Sequence, residues 1–402
     1  MELTVRLDQR IADLPREAWS VLTSSHHTPI LEWAWLNLLE SSGSIAPRHG
    51  WEARHLTLWR GSDLVAGAPL YKKSHSWGEF VYDFAFAEFA QRHGGRWYPK
   101  LVGMSPATPS IGWQVLTAPG EDAQALTARW LEEAVKLALA EQAASLQFNF
   151  TDPAWAQSVL KQNSDWHHWS HQSFLWNNRG LTSFEDYLGS FDKNQRRNIR
   201  REIEGFERQG YRTEVIEGPD IPQDWFSLMG ALYDKTNAQF GPWAARFLEP
   251  EFFEGLDALR PFLLFAATFR DHDPQPQALS FLLHNHQRLI GRYWGEVEHV
   301  DLQYFNVCYY TPIRWAIEHG ISAFDPGAGS PLKVRRGFES EIHYSLHRFF
   351  DPASEALFRL YIDEVNRDEE RQIQELNESV PFRQGGIWKP SEGKTSSKEP
   401  RS

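Results

Sequence analysis

Lys333, Arg335 and Arg336 close a turn that begins Asp325-Pro-Gly-Ala-Gly-Ser-Pro-Leu and follows a short apolar strand. Gly327 and Gly329 leave backbone N–H groups uncovered beside these three cations, and a strand-end turn of that kind can hold a phosphate or carboxylate. It is not a Walker A loop, because no lysine directly follows a glycine, and Gly327-Ala-Gly329 lacks the third glycine of a dinucleotide fingerprint. A solvated turn has the same composition, so the pattern leaves both readings open.

A second run of cations is Lys193-Asn-Gln-Arg-Arg-Asn-Ile-Arg-Arg-Glu202, where Arg196 and Arg200 stand one helical turn apart, as do Arg197 and Arg201. Glu202, Glu204 and Glu207 can neutralise such a face; alternatively Arg196 and Arg200 carry a phosphate-bearing ligand. Upstream of the glycine turn, Arg292, Tyr293 and Trp294 sit in a strand where they would line a cleft. Glu296 and Asp301 follow that strand, at positions where a general base can reach the same cleft. Cys308 lies in Phe-Asn-Val-Cys-Tyr-Tyr, an aromatic setting that raises a thiol's pKa and fits a buried structural cysteine. His284 and His286 share a strand face, and His167, His168 and His171 form a loose group, but neither set has a third and fourth ligand at metal-binding spacing. No metal site is expected.

The elements that would position these groups alternate. Strands are expected at His55–Trp59, Leu64–Tyr71, Phe80–Phe84 and Ser145–Phe150, with helices around Ile30–Leu39 and Ala123–Ala140. After Ser173 the order repeats: helices at Phe184–Leu188 and Asn194–Arg208, a strand at Tyr211–Glu217, helices at Trp225–Thr236 and Glu251–Leu259, and a strand at Phe262–Phe269. A hairpin over Ala278–Trp294, a helix ending at His319 and the strand Ala323–Asp325 complete it. Layered α/β architecture follows, with one unit over residues 1–172 and a second over 173–380 that ends in a long helix from Ser354 to Asn377. From 381 to 402 the chain is rich in Gly, Lys, Ser and Pro and is expected to be disordered.

With 402 residues and 41% apolar content the chain can bury a core, and a net charge of −12 argues against general binding of DNA. A single cysteine excludes an internal disulfide framework, and neither a signal-peptide core nor an apolar run of membrane-spanning length is present; a cytoplasmic location is expected. Eighteen tryptophans supply core filling and, where exposed, flat surfaces for sugars or bases.

Several segments in the same order carry a resemblance: HSWGEF and VYDF within 75–84, RWYPKL at 96–101, Thr108-Pro109, RRNIRRE at 196–202, GRYWG at 291–295, CYY at 308–310, AIEHG at 316–320 and the turn FDPGA with its lysine and RGF. Over roughly residues 20 to 350 the chain resembles the FemAB-like peptidoglycan biosynthesis/recognition family. The resemblance implies two tandem domains of the GNAT (acyl-CoA N-acyltransferase) type. It also implies transfer of an acyl or aminoacyl group to an amine on a small molecule or cell-wall precursor. Acyl-CoA or aminoacyl-tRNA would be the co-substrate, with no permanently bound cofactor. This sequence departs from the family at Asn306, where the family has an acid, and at Pro331 and Leu332, where it has Glu and His. Those losses remove proton-transfer groups and favour, as the alternative, a non-catalytic recognition protein for peptidoglycan or a sugar phosphate.

Overall fold

The computed structural model describes residues 2–26, 28–241, 244–329 and 331–383. The tail read as disordered lies, apart from 381–383, outside the described residues. Fifteen strands appear in them: β1 (Leu3–Asp8), β2 (Trp51–Ala53), β3 (His55–Arg60), β4 (Asp63–Ala68), β5 (Leu70–Lys73), β6 (Lys100–Gly103), β7 (Leu116–Thr117) and β8 (Ser145–Phe148). They continue with β9 (His167–Asn177), β10 (Tyr211–Glu217), β11 (Leu263–Arg270), β12 (Pro276–His284), β13 (Arg288–Glu296), β14 (Ala323–Asp325) and β15 (Glu339–Phe349). Four form a small sheet, β1-β3-β4-β7; the other eleven form one sheet in the order β10-β11-β12-β13-β14-β9-β15-β8-β6-β5-β2.

One connection occurs twice. In the first half, β5 and β6 are antiparallel, and β6 then pairs parallel with β8 across the helix Ala123–Ala140, Leu101 opposite Leu146 and Gly103 opposite Phe148. In the second, β11, β12 and β13 are antiparallel, and β13 pairs parallel with β14 across the helix Thr311–Glu318, Arg288 opposite Ala323 and Ile290 opposite Asp325. The result is a mixed α/β fold of two similarly connected units in tandem, as the resemblance implied. The expected boundary at 172/173 falls inside β9, which pairs with β15 from His167 to Leu175 and with β14 at Trp176 and Asn177.

Local signals set most helices. Asp122 accepts from the backbone N–H groups of Gln124 and Ala125, and the helix it caps buries Leu126, Trp130, Ala134 and Ala138 at the spacing of one face. Asp192 caps the helix Lys193–Glu207 in the same way, but that helix buries only Gln195, Ile199 and Phe206 and gives most of its cations to solvent.

The strand expected at Phe80–Phe84 is not formed. Glu79 and Asp83 turn inward there to meet Lys100, and Phe84 opens a helix, Phe84–Arg92. Lys100 Nζ lies 2.6 Å from Asp83 and 2.8 Å from Glu79 and donates to Ser76 at 2.8 Å, all of these groups being inaccessible to solvent. Burial alone would lower the Lys100 pKa; the two carboxylates outweigh it and raise it, while burial lifts Glu79 to about 7. The same sheet face continues with Gln147, His347, Ser345, His343 and His171. Ser345 Oγ is 2.7 Å from both His347 Nε2 and His171 Nε2, and Ser173 Oγ is 3.1 Å from His343 Nδ1. Strands β9 and β15 therefore carry a polar layer inward. The long helix Pro352–Glu378 covers it with Leu357, Phe358 and Ile362.

Candidate functional site

Beyond Ile290 and Asp325 the parallel pair β13/β14 parts. Strand β13 runs on beside β12 with a bulge at Arg292, since Phe281 faces Tyr293 while Leu282 faces Gly291. The other chain turns away through Pro326-Gly327-Ala328. A cleft of about 310 Å³ opens in the gap, lined by Arg292, Tyr293, Trp294, Tyr304, Cys308 and Tyr309 and by the turn 326–328. Phe80, Ala107 and Pro109 of the first half form a second wall, and Tyr233, Asn237, Phe240, Ala245 and Phe247 a third. Backbone crowding dictates one glycine: a Cβ on Gly327, whose φ is +76°, would lie 2.9 Å from the carbonyl oxygen of Gly291.

Three hydrogen bonds tie the first half to this split. Arg292 Nη2 donates to the Ala107 carbonyl at 2.7 Å, Arg288 Nη1 to the Ile111 carbonyl at 2.6 Å, and Ser110 Oγ to Asp325 Oδ2 at 2.6 Å. Asp325 uses its other oxygen to accept from the Gly327 N–H at 2.8 Å, which sets the turn.

Arg292 is the one charged side chain among the described residues that line the cleft. It also donates to Tyr293 Oη at 2.9 Å, its Nε–H is buried without an acceptor, and it forms no ion pair with a described carboxylate. A buried donor without a partner costs free energy that an anionic ligand would restore. The bulge leaves Arg292 without an opposite residue on β12 at the same point. The neighbouring acids are weak: burial pushes the Cys308 thiol and the Tyr304 and Tyr309 phenols above their usual ranges. Tyr304 and Tyr309 share a hydrogen bond of 2.7 Å between their hydroxyls. A π-helical turn, Asn306–Tyr310, rotates Cys308 and Tyr309 onto the cleft.

The cations of the glycine turn lie elsewhere. Lys333, 1% exposed, donates to the carbonyls of Gly327 at 2.7 Å and Ala328 at 2.9 Å, so it clamps the turn from behind; Gly329 abuts its ammonium. Burial lowers its pKa to about 8 against the pull of Asp325. Arg336, 3% exposed, holds both oxygens of Glu202 at 2.9 Å, donates to Tyr310 Oη at 3.2 Å and stacks on Phe305. It joins the loop to the helix Lys193–Glu207 through a glutamate and not through the arginines. Arg335 is exposed, Arg200 pairs with Glu185 at 2.7 Å, and neither Arg196 nor Arg200 lines the cleft.

The two candidate bases also stand outside it. Glu296 accepts from Gln303 Nε2 at 2.9 Å and from His299 at 3.0 Å, and the Asp301 side chain is 85% exposed. Of the departures, Asn306 is buried and donates to the Leu302 carbonyl at 3.0 Å, while Pro331 and Leu332 begin an exposed turn. Among the described residues no group of three or more His, Cys, Asp or Glu side chains is placed to hold a metal ion.

Across residues 10–384 the sequence matches the model of the FemAB-like family, described as peptidoglycan biosynthesis/recognition. The chain belongs to the FemAB-like family. No curated protein matches it in sequence. In structure it is similar to FemX, with 13% identity and a TM-score of 0.56 over 90% of this chain and 99% of FemX. It is also similar to L-PGS from Bacillus licheniformis, with 11% identity and a TM-score of 0.53 over 89% and 98% of the two chains. A third is the C-terminal domain of a putative lysylphosphatidylglycerol synthetase from Agrobacterium fabrum, with 10% identity and a TM-score of 0.53 over 87% and 95%. At these identities the likeness establishes the fold. As in the family's name, peptidoglycan is the connection, and no helix among the described residues is long and apolar enough to cross a membrane.

The FemAB-like motifs mark part of what single residues missed. Thr108-Pro109 lies in the loop that walls the cleft, and the CYY motif supplies Cys308 and Tyr309. Ser280 and Tyr304, which also line the cleft, belong to ordinary amphipathic patterns and gave no signal.

Proposed function

We propose that this protein transfers an acyl or aminoacyl group to an amine of a peptidoglycan precursor, with the reaction in the cleft between β13 and β14. The observation that carries the reading is the open split itself, which joins a bulged strand, an Arg292 without a carboxylate and four phenols. The amine nitrogen would attack the donor carbonyl, a C–N bond forming as the C–S bond of an acyl-CoA or the C–O bond of an aminoacyl-tRNA breaks. The Arg292 guanidinium would face the developing oxyanion, and a neutral phenol such as Tyr309 would donate to the leaving group. Among the described residues no carboxylate or imidazole lines the cleft, so the amine would enter neutral, and Tyr309, having given its proton to the departing group, would take the amine's proton in its place. A cytoplasmic location supplies either donor.

That same lack of a base favours a second reading, recognition without transfer, in which Arg292 binds an anionic precursor and nothing reacts. Mass spectrometry separates the two. The protein is incubated with a UDP-linked muropeptide and, in turn, acetyl-CoA, a long-chain acyl-CoA and aminoacyl-tRNA. A new amide on the muropeptide supports transfer. A thermal shift with the muropeptide, none with any donor and no new amide would sink it.

A further inference from the structure

A second hollow, of about 390 Å³, opens on the other side of Phe247 from the cleft. Its lining includes Arg48, His49, His75 and Arg246 and, among the described residues, no carboxylate. Trp77, 48% exposed, and Phe247 supply its flat apolar surface.

The cations are oriented from outside. Glu249 holds Arg48 at 3.2 Å and His49 at 2.9 Å, and Asp234 holds Arg246 at 2.8 Å, yet neither acid lines the hollow. A guanidinium has five N–H donors, so each arginine keeps donors to spare. His75 is placed with equal care. Gly50 leaves room for its ring, since a Cβ there would meet His75 Nε2 at 2.3 Å. The Trp77 backbone N–H donates to His75 Nδ1 at 3.2 Å, which puts the ring proton of the neutral imidazole on Nε2. Behind the wall, Lys73 is wholly buried, donating to the Trp77 carbonyl at 3.1 Å with its ammonium 3.5 Å from the centre of the Trp51 ring. Burial lowers the His75 pKa, and Lys73, Lys100 and His49 lower it further, which is the mark of a positive field at this spot.

The geometry points to a second binding site, for a phosphate ester carried on a ring: the phosphate between Arg48, Arg246 and His75, and the ring against Trp77. A phosphate monoester offers three acceptor oxygens and close to two negative charges, which suits donors arriving from several directions better than a single carboxylate does. As a binding site the hollow stands alone. Its use as an anchor for a substrate whose amine reacts in the cleft rests on the transfer reading, and places Phe247 as the partition the substrate crosses.

Calorimetric titration of the full chain with glucosamine 1-phosphate, uridine monophosphate and inorganic phosphate tests the site and separates a sugar from a nucleoside as the ring. At least one ester should bind more tightly than inorganic phosphate. Arg48→Gln with Arg246→Gln should weaken it by about tenfold or more, equal to about 1.4 kcal/mol. Both arginines are largely exposed, so the fold should survive, as circular dichroism would check. Trp77→Ala should weaken the ester and leave inorganic phosphate unchanged. No binding of either ester, or binding indifferent to the double substitution, overturns the proposal. Binding lost in Arg292→Gln but kept in the double variant moves the ligand to the cleft; that also overturns it, while leaving the transfer reading intact.

Discussion

The two halves build the same parallel strand pair and finish it in opposite ways. Past Gly103 and Phe148 the first pair parts just as β13 and β14 do, but Trp113 fills the gap. Its ring is stacked 4.6 Å from Phe148, edge-on to Trp130 and Trp155, and so close to Gly103 that a Cβ there would lie 2.3 Å from it. In the second half no such side chain enters, and the gap is the cleft. One half has spent its split on stability and lends the loop 104–112 as a wall, while the other keeps its split open for chemistry.

Trp113→Ala attacks the filled side of this comparison and should have the largest effect. Removing a fully buried indole should cost about 3–5 kcal/mol, read from urea unfolding. A loss below about 1 kcal/mol would mean that the ring is not the plug. Acid should act next, and on the same half. His343, His347 and His171 are held below the ordinary histidine pKa by burial, His171 at about 3. They stay neutral in the fold while the unfolded chain takes up protons below about 6.5, so stability should fall as pH drops through that value, by about 1.4 kcal/mol per unit and histidine. Hydrogen exchange should show β9, β15 and β8 opening first; earlier opening of β11 to β13 would contradict the assignment. Glu202→Gln, which leaves Arg336 buried with a neutral partner, should cost about 2 kcal/mol in the second half, measured in the same urea experiment. Arg292→Gln should change stability least, by about 1 kcal/mol for the lost bond to the Ala107 carbonyl, yet abolish the thermal shift given by an anionic cleft ligand. An unchanged shift would show that Arg292 serves only the Ala107 carbonyl.

Much of the second half was legible because its strands have apolar inward faces. Tyr211–Glu217 and Ala323–Asp325 form as the patterns predicted, and Pro276–His284 and Arg288–Glu296 extend the expected hairpin. The centre of the sheet was not. No strand was expected at His167–Gln172 or Glu339–Phe349, because their inward residues are histidines and serines, whose burial depends on partners brought from other strands. The cleft was half legible for a related reason. Arg292, Tyr293 and Trp294 share one motif with the split, but a lysine or arginine beside a glycine turn reads the same whether its donors face a ligand or, as for Lys333 and Arg336, the protein's own carbonyls and carboxylates.

Strand β15 lies between β8 and β9, so the last strand among the described residues is the one that completes the sheet of the first half. A ribosome making this protein would have to release residue 349 before that sheet could close. Until then β8 offers an open edge and the histidine layer meets water. Folding should therefore follow synthesis, governed by one pairing of very long sequence separation, and a fragment ending near residue 172 should stay unfolded in isolation.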